Sequence, residues 1–141
     1  MIGRLIRWQT RSPYSHASIV FEGGRVIESR EFIGVRQLAS LQPQPGERID
    51  LYRVPLTGDQ CEAIRAFLYA QLGKPYDYTS VLRFISRRKA SRESGHRWFC
   101  SELVFAAFHH AGVRLLDRVE PWAVSPGLLS LSPLLVPARV K

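Results

Sequence analysis

Four side chains of this sequence have the types that thiol chemistry needs: Cys100, His16, Glu28 and Tyr76. Cys100 stands in Trp98-Phe99-Cys100-Ser101-Glu102-Leu103-Val104, downstream of the breaker Gly95. After it, Leu103, Val104, Ala107, Phe108 and Ala111 recur at helical spacing, and Gly112 is a natural stop. The spacing therefore predicts a helix with the cysteine in its first turn. Unpaired backbone N–H groups and the positive end of the helix dipole lie there, and both stabilise a thiolate. An isolated helix cysteine is more often a small buried hydrophobe. Its partners decide whether it is more than that.

His16 lies at the start of Ser15-His16-Ala17-Ser18-Ile19-Val20-Phe21, which reads as a strand. Arg25 to Phe32 is the return strand of a hairpin. A two-residue turn, Gly23-Gly24, would set His16 opposite Glu31. A three-residue turn, Glu22-Gly23-Gly24, would pair Phe21 with Arg25 and Ser18 with Glu28, with Gly24 as the left-handed residue. Glu28 would then share the His16 face on the diagonal. The spacing leaves both open, and without a partner either glutamate is a solvated strand charge. Tyr76, in Gly73-Lys74-Pro75-Tyr76-Asp77, follows a helix stop. It is placed either to present a hydroxyl to a developing oxyanion beside the Cys100 N–H or to fill the core.

Metal chemistry is weakly supported. His96 and Cys100 are four apart, but the helix starts between them, and His109 and His110 do not share a face. Neither CxxC nor HExxH spacing occurs. A Gly-rich phosphate loop and a GxSxG elbow are also missing. The expectation is no metal and no cofactor.

The elements that must position these groups follow from the pattern. Ile2 to Trp8 alternates weakly, as a strand would. Arg36 to Ser40 reads as connecting structure, and Glu47 to Val54 as a third strand. Thr57 and Asp59 are N-cap candidates for a helix bearing Ala63, Ile64, Phe67, Leu68 and Leu72, closed by Gly73 and Pro75. Asp77 is the candidate cap of a second helix through Val81, Leu82 and Ile85. Four prolines from Pro121 to Pro137 predict an irregular or briefly extended tail. The whole reads as one α+β domain over 1–141, a small antiparallel sheet or half-barrel packed against helices.

Composition bounds the rest. The chain has 141 residues, 45% hydrophobic and 11% aromatic, as a folded globular protein does. No stretch is long enough to span a bilayer, and the start lacks a signal-peptide run. Two cysteines make no disulfide framework. A cytoplasmic location is expected, unless another route exports the chain. The net charge of +8 favours an anionic partner, either nucleic acid or a phospholipid or polymer surface. Arg83, Arg87, Arg88, Lys89 and Arg92 are the candidate contacts.

Four pieces in this order resemble the permuted papain-like cysteine hydrolases of the NlpC superfamily, close to the YiiX-like branch. They are Ser15-His16-Ala17-Ser18-Ile19-Val20, Val26-Ile27-Glu28, Gly73-Lys74-Pro75-Tyr76-Asp77 and Phe99-Cys100-Ser101-Glu102-Leu103-Val104. The histidine precedes the cysteine, which is the permuted order. Ser18 stands where many relatives have glycine, and the arginine-rich insert before Cys100 lies outside the pattern. The resemblance implies Cys100 as nucleophile, His16 as base, Glu28 rather than Glu31 as the orienting residue and Tyr76 as an oxyanion or substrate contact. It implies a hydrolase (amidase or peptidase) or acyltransferase acting through a thioester on cell-wall peptides, other amides or lipid acyl groups. Glu28 is then expected to accept from Nδ1–H of His16, with Nε2 facing Cys100. The rival readings are a non-catalytic basic binding module for nucleic acid or an anionic surface, and a structural phage or effector component that merely retains the fold.

Cys61 lies on the Thr57–Leu72 helix with no histidine near it in sequence, and is expected to be inert. Iodoacetamide at mildly acidic pH should therefore modify Cys100 before Cys61, measured on each single-cysteine variant. Faster reaction at Cys61 would reverse the assignment.

Overall fold

The computed structural model describes residues 4, 6, 7, 11–78 and 97–139. The basic residues Arg83, Arg87, Arg88, Lys89 and Arg92 lie outside them, as do His96 and all of the helix expected after Asp77 except its start, where Tyr78 is helical. The fold is α+β, and two small antiparallel sheets and three complete α-helices lie among the described residues.

The first sheet has the order β1 (Ile19–Val20), β2 (Val26–Arg30), β3 (Gly34–Leu38). β2 is central, and Val26, Ile27, Glu28 and Ser29 are all buried. The β1 strand is shorter than the Ser15–Phe21 run predicted. Its first four residues, Ser15-His16-Ala17-Ser18, are small or polar and lack the β-branched side chains that hold a pleated edge. β3 replaces the connecting structure expected after Arg36. Its own pattern is weak, but it pairs with β2 from Val26↔Leu38 through Arg30↔Gly34, and that pairing overrides local preference.

Helix α1 (Gly58–Gln71) starts at Thr57, whose hydroxyl accepts from Gln60 N while the Gln60 side chain accepts from Thr57 N. This is the reciprocal capping box that the spacing predicts. Helix α2 (Cys100–His110) begins at the cysteine. Ile64 and Leu68 of α1 and Leu103 and Ala107 of α2 join Ile27, Val35 and Trp98 in one core. The opposite face of α2, with Val104 and Phe105, packs against Val113, Leu115, Val124 and Leu129. The cysteine helix thus sits between two apolar clusters, and its angle is fixed from both sides.

The tail is more regular than its prolines suggest. Pro121–Ala123 forms a 3-10 turn. Helix α3 (Pro126–Leu129) has proline in its first turn, where no N–H is needed, and Ser125 as its cap. Strand β5 (Val136–Ala138) pairs with β4 (Leu51–Arg53) in the second sheet, with Pro137 opposite Tyr52. Proline is tolerated there because a two-stranded sheet has only edge strands. The described residues of the opening segment, Arg4, Ile6 and Arg7, are helical rather than extended. Ile6 finds its burial against Tyr76, Phe99 and Cys100, not in a sheet. Among the described residues no helix is long and apolar enough to cross a membrane.

Gly34 marks a close approach. Val35 N donates to Lys74 O at 2.9 Å and Gly73 N to Val35 O at 2.9 Å, so the segment leading to Tyr76 is laced to β3. A Cβ on Gly34 would overlap the Lys74 carbonyl oxygen, and its φ of +89° is left-handed. Gly34→Ala should destabilise the fold by about 1–3 kcal/mol from backbone strain alone. Urea unfolding checks this, and a loss below a few tenths would show that the lacing is dispensable.

Candidate active site

The hairpin turn decides which glutamate reaches His16. Ile19 pairs with Ile27 and Val20 with Val26, and Phe21 N donates to Arg25 O at 2.8 Å. The loop is therefore the three residues Glu22-Gly23-Gly24, and Gly24 has φ +89°. Continued by one residue, this register sets Ser18 opposite Glu28, with His16 on the diagonal. Glu28 Oε2 lies 2.6 Å from His16 Nε2, and Glu31 takes no part in that bond. The ring nitrogen differs from the one expected. Diagonal neighbours stand roughly 7–8 Å apart, too far for the proximal Nδ1, so the distal Nε2 makes the bond. Nδ1 takes no part in the bond to Glu28, and Cys100 lies near enough to the ring to raise its proton affinity.

Cys100 is 1% exposed. Its backbone N–H, in the first turn of α2, has no intrahelical acceptor. The chain entering the helix is held at Trp98. Trp98 N donates to Pro75 O at 3.0 Å, and Trp98 O accepts from Asp77 N at 3.1 Å and from Ser29 Oγ at 2.5 Å. Trp98 Nε1 donates to Gln71 Oε1 at 3.1 Å. Ser29 follows Glu28 on β2 and points to the other face, so one strand grips both the histidine's partner and the cysteine's approach. Tyr76 bridges to Trp98 in the same contact. Its ring lies edge-on to Phe99 at 5.7 Å, in a buried cluster with Cys100. The Tyr76 hydroxyl makes no hydrogen bond among the described residues. Burial first, then the charge of Cys100, push its proton affinity well above the usual phenol range. It is kept as a donor.

Arg36 was not legible as a site residue. Its Nε and Nη2 donate to Glu28 Oε1 at 3.0 and 2.9 Å, because Arg36 stands opposite Glu28 in the β2–β3 register. Recognising β3 would have found it. Arg30 Nη1 lies 3.9 Å from Glu28 Oε2. A cavity of about 1030 Å³ between the two sheets is lined by His16, Glu28, Arg30 and Arg36, but not by Cys100 or Tyr76. Cys61 is exposed, unlike Cys100. Among the described residues no group of three His, Cys, Asp or Glu could hold a metal ion. No protein-family model matches the chain, and no curated protein matches it.

Burial pushes the His16 imidazole down, but the nearby Cys100 and the bonded Glu28 raise it from 6.5 to about 9. Burial pushes Glu28 up, but the bond and charge of His16, followed by Arg36 and Arg30, hold it down at about 2. The His16 contribution to stability is complete below pH 6.5 and is lost as pH rises through 9. The Glu28 contribution is complete above pH 4.5 and is lost as pH falls towards 2. Wild type should therefore lose on the order of 2 kcal/mol between pH 6 and 9.5 that His16→Gln does not lose. Parallel urea-unfolding curves for the two proteins over that interval would refute the coupling.

Proposed function

We propose that this chain is a cysteine-dependent hydrolase or acyltransferase with a permuted papain-like fold of the NlpC type. The observation that carries the reading is the 2.6 Å bond between Glu28 and His16, with Cys100, the first residue of a helix, near enough to raise the proton affinity of the ring. His16 Nδ1 takes the thiol proton, and the thiolate attacks a carbonyl carbon. The Cys100 N–H and the Tyr76 hydroxyl donate to the tetrahedral oxyanion. The His16 imidazolium protonates the leaving group as the carbon–heteroatom bond breaks. Water or another acceptor then resolves the thioester. Glu28 fixes the tautomer and favours the charged imidazole, and Arg36 keeps Glu28 ionised and oriented. The substrate carries an amide or acyl group. The net charge of +8 supports an anionic surface as partner, contacted through Arg83, Arg87, Arg88, Lys89 and Arg92.

Electrophilic amide and acyl probes test the chemistry without a known substrate. Wild type should be labelled at Cys100, and Cys100→Ala should not be labelled. On any substrate the panel finds, His16→Ala should cost about 10²–10⁴-fold in turnover. Glu28→Gln should cost less, since an amide oxygen still holds the tautomer. Equal labelling of wild type and Cys100→Ala would refute the mechanism.

A further inference from the structure

β1 pairs with β2 only from Ile19 onwards. Among the described residues no sheet hydrogen bond holds the backbone at His16, three positions earlier. The loop that carries His16, residues 11–15, is fastened by other means. On one side Ser12 lies against Gly127 of α3, where a Cβ would overlap the Ser12 side chain. Ser12 Oγ accepts from Tyr14 N at 3.2 Å, and Arg11 takes a left-handed φ of 51°. On the other side Tyr14 Oη donates to Asp50 Oδ2 at 2.5 Å and lies 3.2 Å from Tyr52 Oη. Asp50 Oδ1 accepts from Arg48 Nε at 3.1 Å. Asp50 immediately precedes β4 and Tyr52 is within it. Among the described residues these are the hydrogen bonds that cross the cavity from the histidine wall to the second sheet.

We infer that Tyr14 and Asp50 are positioning residues for His16: their hydrogen bond fastens the histidine loop to the second sheet and holds the imidazole within reach of both Glu28 and Cys100. The inference rests on the proposed function, since it assigns the pair a part in that thiol chemistry. Tyr14 lies two residues from His16, so tilting the loop moves the ring directly. Without this brace the loop keeps Ser12, four residues away, and a long 3.5 Å bond from Arg7 Nη1 to Ser15 Oγ. Both partners are in the right state at neutral pH. The bonds to Asp50 and then Tyr52 push the Tyr14 phenol above its usual range, so it remains a donor. The bonds from Tyr14 and then Arg48 hold the Asp50 carboxyl below its usual range, so it remains an acceptor. Misplacing a reacting group by about 1 Å can cost 10²-fold in rate.

The test uses the full chain with Cys61→Ser, so that iodoacetamide reports on Cys100 alone. Alkylation rates are measured from pH 5 to 9.5, with thermal unfolding alongside. The parent should show an acid limb that His16→Ala removes. Tyr14→Phe should lower the rate at pH 6 by roughly 10-fold, with little change at pH 9.5 or in Tm. Asp50→Asn keeps an acceptor oxygen and should retain most of the acid limb, whereas Asp50→Leu should match Tyr14→Phe. An unchanged acid limb in Tyr14→Phe overturns the inference and leaves the proposed function standing. So does an equal loss at every pH together with a lowered Tm, which marks a merely structural bond. A parent with no His16-dependent acid limb overturns both.

Discussion

An ionised carboxylate buried on the central strand of a three-stranded sheet has to be met on both oxygens, because an uncompensated charge there is too costly to keep. Glu28 is that carboxylate. Its Oε2 is taken by His16 and its Oε1 by the two-pronged Arg36. The partners arrive from opposite flanks, one from the lead-in to β1 and the other from β3. The strand order β1-β2-β3 is thus also a charge arrangement. Removing either partner would leave one of the two oxygens without its hydrogen bond.

The same strand sets the place of the thiol. Ser29 turns its hydroxyl to the Trp98 carbonyl on the face opposite Glu28. Trp98 is further tied to Gln71 at the end of α1 and to the Pro75–Asp77 segment. Helix α2 therefore enters with its first residue fixed relative to β2. The histidine, by contrast, hangs on a loop beyond the paired part of β1. Cys100 is thus mounted on packed elements and His16 on a loop.

Much of this was legible in the sequence where local rules act alone. The capping box at Thr57 and Gln60, the start of α2 at Cys100 and the stop at Gly112 are set by residues within a few positions of one another. Parity restricted the choice to Glu28 or Glu31, and the turn geometry that selects Glu28 depends on Gly24. What stayed illegible depends on distant partners. β3 exists because β2 offers it a full ladder, and without β3 the role of Arg36 could not be seen. The choice of Nε2 over Nδ1 comes from the diagonal offset between strands, a distance that a pattern of residue types does not contain. Ile6 reads as a strand residue until the pocket formed by Tyr76, Phe99 and Cys100 is in view.

Pro137 has a consequence beyond fitting its strand. β5 carries Val136, which is 50% exposed, at the outside of a two-stranded sheet. An exposed apolar strand of this kind is the sort of surface on which chains stick to one another edge to edge. Proline has no N–H to offer, so the row of donors along β5 is interrupted at its middle residue. A neighbouring copy cannot continue the ladder past that gap. The residue thus works against self-association in concentrated solution, where a strand-forming valine in its place would invite fibrous growth.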